Sequence, residues 1–192
     1  FVDLRRNGWK TVALYTEYAE AAFRNKQFKA IFDDVDAAIQ AGAINYISES
    51  TTKPTQASMD AMALYLNDRG EGSGVIVGLS KYIQAASKLN GFVSQAMIDE
   101  VHRNGRLGVY DGCSMYPISS AKKLGNGDFL IKDNRLYGIA GRVGSLVQKG
   151  EMRTYQDENN QKECFHIMLK DFTFGYAWND TSLENLCKMV IA

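Results

Sequence analysis

SQAMIDEVHRNGRLGVYDGCSMYPIS, Ser94 to Ser119, changes its period part-way along. Met97, Ile98 and Val101 recur at the spacing of one helix face. Ser94 stands where a cap belongs, and Gly105 stands where such a helix stops. From Leu107 the period falls to two. LGVYDGCSMYPI therefore predicts two short strands around Asp111-Gly112, a dipeptide suited to a tight hairpin. A helix running straight into a hairpin is the pattern of a mixed α+β body. The same stretch also raises a chemical reading, because Cys113 follows His102 and the two could act as nucleophile and base.

Upstream, KTVALYTEYAEAAFRN places Val12, Tyr15, Ala19, Ala22 and Phe23 on one helical stripe. KQFKAIFDDVDAAIQAG does the same with Phe28, Ile31, Phe32, Val35 and Ile39, and Gly42 closes it. The two stripes point in different directions. Either the helix breaks near Asn25, or one long helix is covered on different sides along its length, as a spine between two bodies would be. AINYISESTTKPT reads as a linker. QASMDAMALYLNDRG predicts a helix with Met59, Met62, Ala63 and Leu66 inward, ended at Gly70. GVIVGLS predicts a short buried strand, and Ser80 predicts the cap of a helix through Lys88 with Tyr82, Ile83 and Ala86 inward.

Downstream, GDFLIKDNRLYGIAG reads as a strand pair turning at Asp133-Asn134. Glu151 to Trp178 reads as two long strands joined by a polar loop, Gln156 to Lys162. On the second strand Phe172, Phe174, Tyr176 and Trp178 alternate with small residues. That bulky face is a candidate binding surface if exposed.

Composition narrows the function. In 192 residues, Lys+Arg and Asp+Glu both number 22, so the net charge is zero. A protein built to hold nucleic acid tightly carries an excess of basic residues. Near-neutrality leaves little long-range repulsion between copies. The three cysteines, Cys113, Cys164 and Cys187, are widely spaced and form no C-x-x-C pair, which argues against a disulfide framework or a structural zinc site. No apolar run approaches the roughly 18 residues of a membrane span.

The candidate chemistry is thin. A helix end favours a charged His102 and gives no activation to a thiol elsewhere, so Cys113 reads as a small buried hydrophobe. Cys164 and His166 share a strand face but lack further ligands for zinc. GEGSG, Gly70 to Gly74, follows a helix and lacks a phosphate-loop pattern. Asp33, Asp34 and Asp36 read as a solvated helix face. No catalytic residues, no metal site and no cofactor site emerge.

Taken in order, the passages resemble the major capsid proteins of tailed bacteriophages of the Hong Kong phage type. KQFKAIFDDVDAAIQAG is similar to the end of that family's spine helix. KPTQASMDAMALYLNDRG and GVIVGLSKYIQAASKLNGF resemble the helix, strand and helix that open its axial domain. The opening stretch resembles its helix, glycine and hairpin, and RLYGIAGRVGS resembles the following core strand. MRTYQDENNQKECFHIMLKDFTFGYAW is similar to the long hairpin of the peripheral domain, and NLCKMVIA to the closing strand. Encapsulins, bacterial nanocompartment shells, share the fold. In the phage family an N-terminal arm and an extended loop precede the spine helix, and the sequence shows no room for them after Phe1.

The resemblance implies a phage capsid-type α+β fold. Residues 1–49 and 148–180 would form the peripheral domain, and residues 50–147 and 181–192 the axial domain. It implies a non-enzymatic subunit of a phage or prophage, made in the bacterial host cytoplasm and residing in the virion capsid. Its partners would be copies of itself in pentamers and hexamers, an optional scaffolding protein, and packaged DNA by weak non-specific contact, with no membrane. A nanocompartment shell is the first alternative, and a cysteine enzyme using Cys113 and His102 the second. Carried over to this sequence, Gln156, Asp157, Glu158, Asn159 and Asn160 would form a contact loop between capsomers. Asn67, Asp68, Arg69 and Glu71 would serve contacts between axial domains.

Overall fold

A computed structural model of the chain describes residues 2–70, 74–89, 108–120, 128–149, 153–159, 164–170, 173–178 and 183–192. The elements are α1 (Val2–Ala38), β1 (Tyr46–Glu49), α2 (Gln56–Gly70), β2 (Gly74–Leu79), α3 (Ser80–Ala86), β3 (Val109–Tyr110), β4 (Cys113–Ile118), β5 (Arg135–Ala140), β6 (Gly144–Lys149), β7 (Arg153–Asn159), β8 (Cys164–Lys170), β9 (Thr173–Trp178) and β10 (Leu186–Ile191). The helix predicted over Ser94 to Gly105 lies outside the described residues. Two compact units result. One comprises Phe1–Arg24 with Gly144–Trp178, the other Asn25–Val143 with Asn179–Ala192.

The choice left open by the two stripes resolves as one helix of 37 residues. Nothing around Asn25 interrupts it, because the segment contains no proline and is rich in Ala, Glu, Lys and Arg. Its last turns, in the second unit, bury Phe32 and Val35, and Ile39 just past its end is buried as well. Phe28 stacks on Phe32 at 4.7 Å between centroids, and Phe32 meets Tyr137 edge-on at 5.2 Å. Asp36 belongs to this buried face, at 9% exposure. That corrects the expectation of a solvated acidic run: Asp34 is exposed and Asp33 pairs with Lys29, while Asp36 is interior.

The second unit is built on a six-stranded sheet in the order β1-β10-β5-β2-β4-β3. β1 is parallel to β10 and β2 to β4, and the other pairs are antiparallel. The segment expected to be a linker therefore contributes a strand. Tyr46 to Glu49 pair with Lys188 to Ile191, and a partner so remote in sequence leaves no local signal. Successive residues of β5 point to opposite faces. Tyr137 meets α1, while α2 packs on the face carrying Gly138. As predicted, Met59, Met62, Ala63 and Leu66 of α2 are wholly buried. A Cβ at Gly138 would lie 2.8 Å from Leu66, so the absent side chain is what lets α2 sit this close.

The hairpin around Asp111-Gly112 is present. Val109 pairs with Ser114 and Tyr110 with Cys113. Asp111 and Gly112 have φ of 43° and 82°, the left-handed pair that a two-residue loop requires. Asp133-Asn134 is also a turn, with Asn134 at φ 59°. The strand pair expected around it is not formed. Only Arg135–Ala140 is a strand, and it finds its partners in β2 and β10. Ser80 does not cap α3 either. Leu79 holds the cap position without a side-chain bond, and the Ser80 hydroxyl donates to the Ile118 carbonyl at 3.0 Å. α3 ends at Ala86, short of the expected Lys88.

The first unit holds two two-stranded sheets, β6–β9 and β7–β8. The hairpin predicted from Glu151 to Trp178 is thus divided. β7 pairs with β8, whereas β9 turns to β6, with Leu146 opposite Tyr176. Gln156 to Asn159 lie in β7 rather than in a loop, facing Ile167, His166, Phe165 and Cys164 in register. Polar residues form this strand because its paired partner supplies the ladder that their composition does not advertise.

Candidate subunit-contact surfaces and buried polar centres

The residues singled out from the sequence fall into separate places. Asn67, Asp68 and Arg69 occupy the last turn of α2. The Asn67 amide donates to the Asp111 carbonyl at 2.7 Å and lies 3.4 Å from the Cys113 sulfur. Its role is to clamp the β3–β4 turn onto α2. Arg69 rests over the Tyr65 ring at 4.1 Å, and the Tyr65 hydroxyl donates to the Glu184 carbonyl at 2.8 Å. Asp68 is exposed. Glu71 and Asn160 lie outside the described residues, while Gln156, Asp157, Glu158 and Asn159 end β7.

Cys113 is wholly buried. Burial first, and then the neighbouring Asp111 charge, raise its thiol pKa above the ordinary value. A nucleophilic cysteine needs the opposite, a lowered pKa and access. His102 lies outside the described residues. Cys187 is also buried, its thiol pushed up to about 12 by burial. We expect both thiols to resist a thiol-reactive chromophore in the native chain and to react at once in denaturant. Rapid native labelling at Cys113, located by peptide mass analysis, would contradict this.

Among the described residues no group of three or more His, Cys, Asp or Glu is placed to hold a metal ion. None of their helices is long and apolar enough to cross a membrane. The side chains of Cys164, His166, Phe174, Tyr176 and Trp178 lie outside the description.

Two buried carboxylates organise the second unit. Asp36 receives Lys132 at 2.8 Å, Arg135 at 3.3 Å and Lys188 at 3.4 Å, with the Tyr137 hydroxyl at 3.4 Å. Lys188, itself 6% exposed, also donates to the Asp36 backbone carbonyl at 2.7 Å. Burial alone would raise the Asp36 pKa. The Lys132 hydrogen bond and the charges of Lys188, Lys132 and Arg135 together overcome it and hold the carboxyl below its usual range. Glu49, at the end of β1, accepts from Thr51 and from the backbone and hydroxyl of Thr55. The Thr55 hydrogen bond is the leading cause that brings its pKa down to about 2. Thr55 in turn bonds Ser58 at the start of α2, so Glu49 ties strand to helix.

One polar cluster was not anticipated. Lys53, Lys81 and Lys88 line an open cleft together with Pro54, Gln84, Ala85 and Leu89. Lys81 is held by Asp133 at 2.6 Å and lies over the Tyr82 ring at 4.7 Å. Lys81 lies in the first turn of α3 and Lys88 in the turn that follows the helix. Lys53 arrives from the segment read as linker, so only folding brings it in.

No protein-family model matches the chain, and no curated protein does so either. Solved structures do match. The mature capsid of bacteriophage PhiM1 aligns at 10% identity and a TM-score of 0.61, over 96% of this chain and 65% of that one. The capsid of cyanophage P-SCSP1u aligns at 10% identity and 0.58, over 100% of this chain and 69% of that one. A virus-like particle from Pyrococcus furiosus aligns at 9% and 0.52, over 86% and 62%. The chain thus spans roughly two thirds of the length of the capsid chains it resembles. At such identity the likeness is one of fold, and the fold of this chain is the α+β fold of phage major capsid proteins.

Proposed function

We propose that the chain is the structural subunit of a phage or prophage capsid, self-assembling into capsomers and an icosahedral shell that encloses DNA. The observation that carries this reading is the match of nearly the whole chain, across both units, to subunits of such shells. A buried, raised-pKa Cys113 gives no support to an enzyme built on that thiol. In this reading the unit containing β6 to β9 serves as the peripheral body and the six-stranded unit as the axial one. Asp157 and Glu158, at the end of β7, and the exposed Asp68 are the proposed contacts with neighbouring copies.

Electron microscopy and sedimentation at high protein concentration test the proposal, on this chain and on a longer form carrying any residues upstream of Phe1. Rings of five or six subunits, or closed shells, are expected. A strictly monomeric species in both forms would overturn it. One matched shell is a virus-like particle rather than a phage capsid, which leaves a second reading, a nanocompartment shell, beside the first. Particles isolated from source cells separate the two: nuclease-protected DNA supports the virion, and an enclosed protein cargo supports the compartment.

A further inference from the structure

From the lysine cleft we infer a phosphate-backbone contact: Lys53 and Lys88, which line it together with Lys81, take phosphodiester groups of a nucleic acid without reading its sequence. The inference rests on the proposed shell only for the source of the nucleic acid; the cleft itself stands on its own geometry. Two separate segments converge there, the turn before α2 and the face of α3 with its following turn. Among the described residues no carboxylate pairs with Lys53 or Lys88. Lys81 is different, because Asp133 neutralises it and fixes its position. The cleft therefore presents two uncompensated ammonium groups with a held third, in a chain whose net charge is zero.

The chemistry selects phosphate over base or carboxylate. All three cations are lysines, which act as point charges on phosphate oxygens, and none is the arginine fork that clamps a carboxylate in two places. Among the described residues no aromatic face lines the cleft on which an unpaired base could stack. Lysines without stacking partners position a backbone and specify nothing. The contact is accordingly weak and strongly salt-dependent.

Two uncompensated charges predict a slope of log affinity against log salt near −1.8 for a duplex, so affinity falls about tenfold between 50 and 200 mM salt. The experiment is fluorescence anisotropy of a short duplex of arbitrary sequence with the full chain, titrated with salt. Lys53→Gln/Lys88→Gln should flatten that slope nearly to zero, while Lys26→Gln, an exposed lysine elsewhere in the unit, leaves it unchanged. Charge reversal, Lys53→Glu/Lys88→Glu, should abolish binding, with circular dichroism verifying that each variant is folded. An unchanged slope in the double variant overturns the inference. So does a polyglutamate peptide that binds the cleft while the duplex does not, since the site would then belong to an acidic protein partner. Inorganic phosphate should compete only weakly. Sedimentation of the same samples keeps the two ideas apart. Shells with an unaltered salt slope leave the capsid reading standing without this contact, and monomers whose slope responds to the lysines do the reverse.

Discussion

Asp36→Asn is expected to lower the unfolding free energy by about 3–5 kcal/mol, the cost of removing one partner from a buried ion pair. The reason lies with Lys188, whose side chain is 7% exposed, rather than with Lys132 or Arg135, at 48% and 26%. The latter two can turn to water when the carboxylate goes, whereas the Lys188 ammonium stays buried, facing the Asp36 carbonyl and the Tyr46 ring with no counter-charge. A second substitution makes the account testable. Lys188→Met in the Asp36→Asn background should restore much of the loss, because an apolar side chain of similar length carries no charge to bury. Urea midpoints of the wild type, both single variants and the double variant check it. A single-variant loss below about 1 kcal/mol, or no recovery in the double, would contradict the view of Asp36 as the counter-ion of a buried lysine.

The same carboxylates set the acid limit. Asp36 and Glu49 both have folded pKa values below those of the unfolded chain. Such groups contribute stability that is complete above the unfolded pKa and is lost as pH falls through the folded one. For Glu49 that window runs from the ordinary glutamate value of 4.5 down to about 2. Stability should therefore drop across this range, and Glu49→Gln should flatten part of the drop. A profile as steep in Glu49→Gln as in the wild type would show that another group carries it.

Leu66→Ala carries the other large effect, about 2–5 kcal/mol, because Leu66 is wholly buried at the crossing of α2 over β2 and β5. Gly138→Ala should cost about 1–3 kcal/mol by overpacking. A Cβ there would meet Leu66 at 2.8 and 2.9 Å and Met62 at 3.1 Å. The two substitutions act on the same few cubic ångströms, one emptying and one filling. The double variant should consequently lose clearly less than the sum of the singles. Strict additivity would show that α2 does not rest on Gly138 through Leu66.

Elements written in local periodicity were legible from the residues. α2 announced itself by an unbroken stripe that proved fully buried, and the β3–β4 hairpin by Asp111-Gly112. Elements whose stabilisation comes from far away in the chain were not. β1 is polar and short, and it exists because β10 lies beside it. GDFLIK looked like a strand, but β5 already has β2 and β10 as neighbours. Ser80 looked like a cap, yet the Ile118 carbonyl of β4 claims its hydroxyl. The polar end of β7 looked like a loop because only a paired strand reveals itself as one.

By itself the sequence determined the α+β class, the order of helix, strand and hairpin through the middle of the chain, and the burial of Cys113. Those follow from hydrophobic period and turn chemistry, both local properties. The tertiary structure alone decided that α1 is continuous, that Asp36 is a buried counter-ion and that Lys53 joins Lys81 and Lys88. Charge says nothing of burial until the packing is known. A carboxylate in DDVDAA reads as solvated until three cations from β5, β10 and the turn before β5 converge on it.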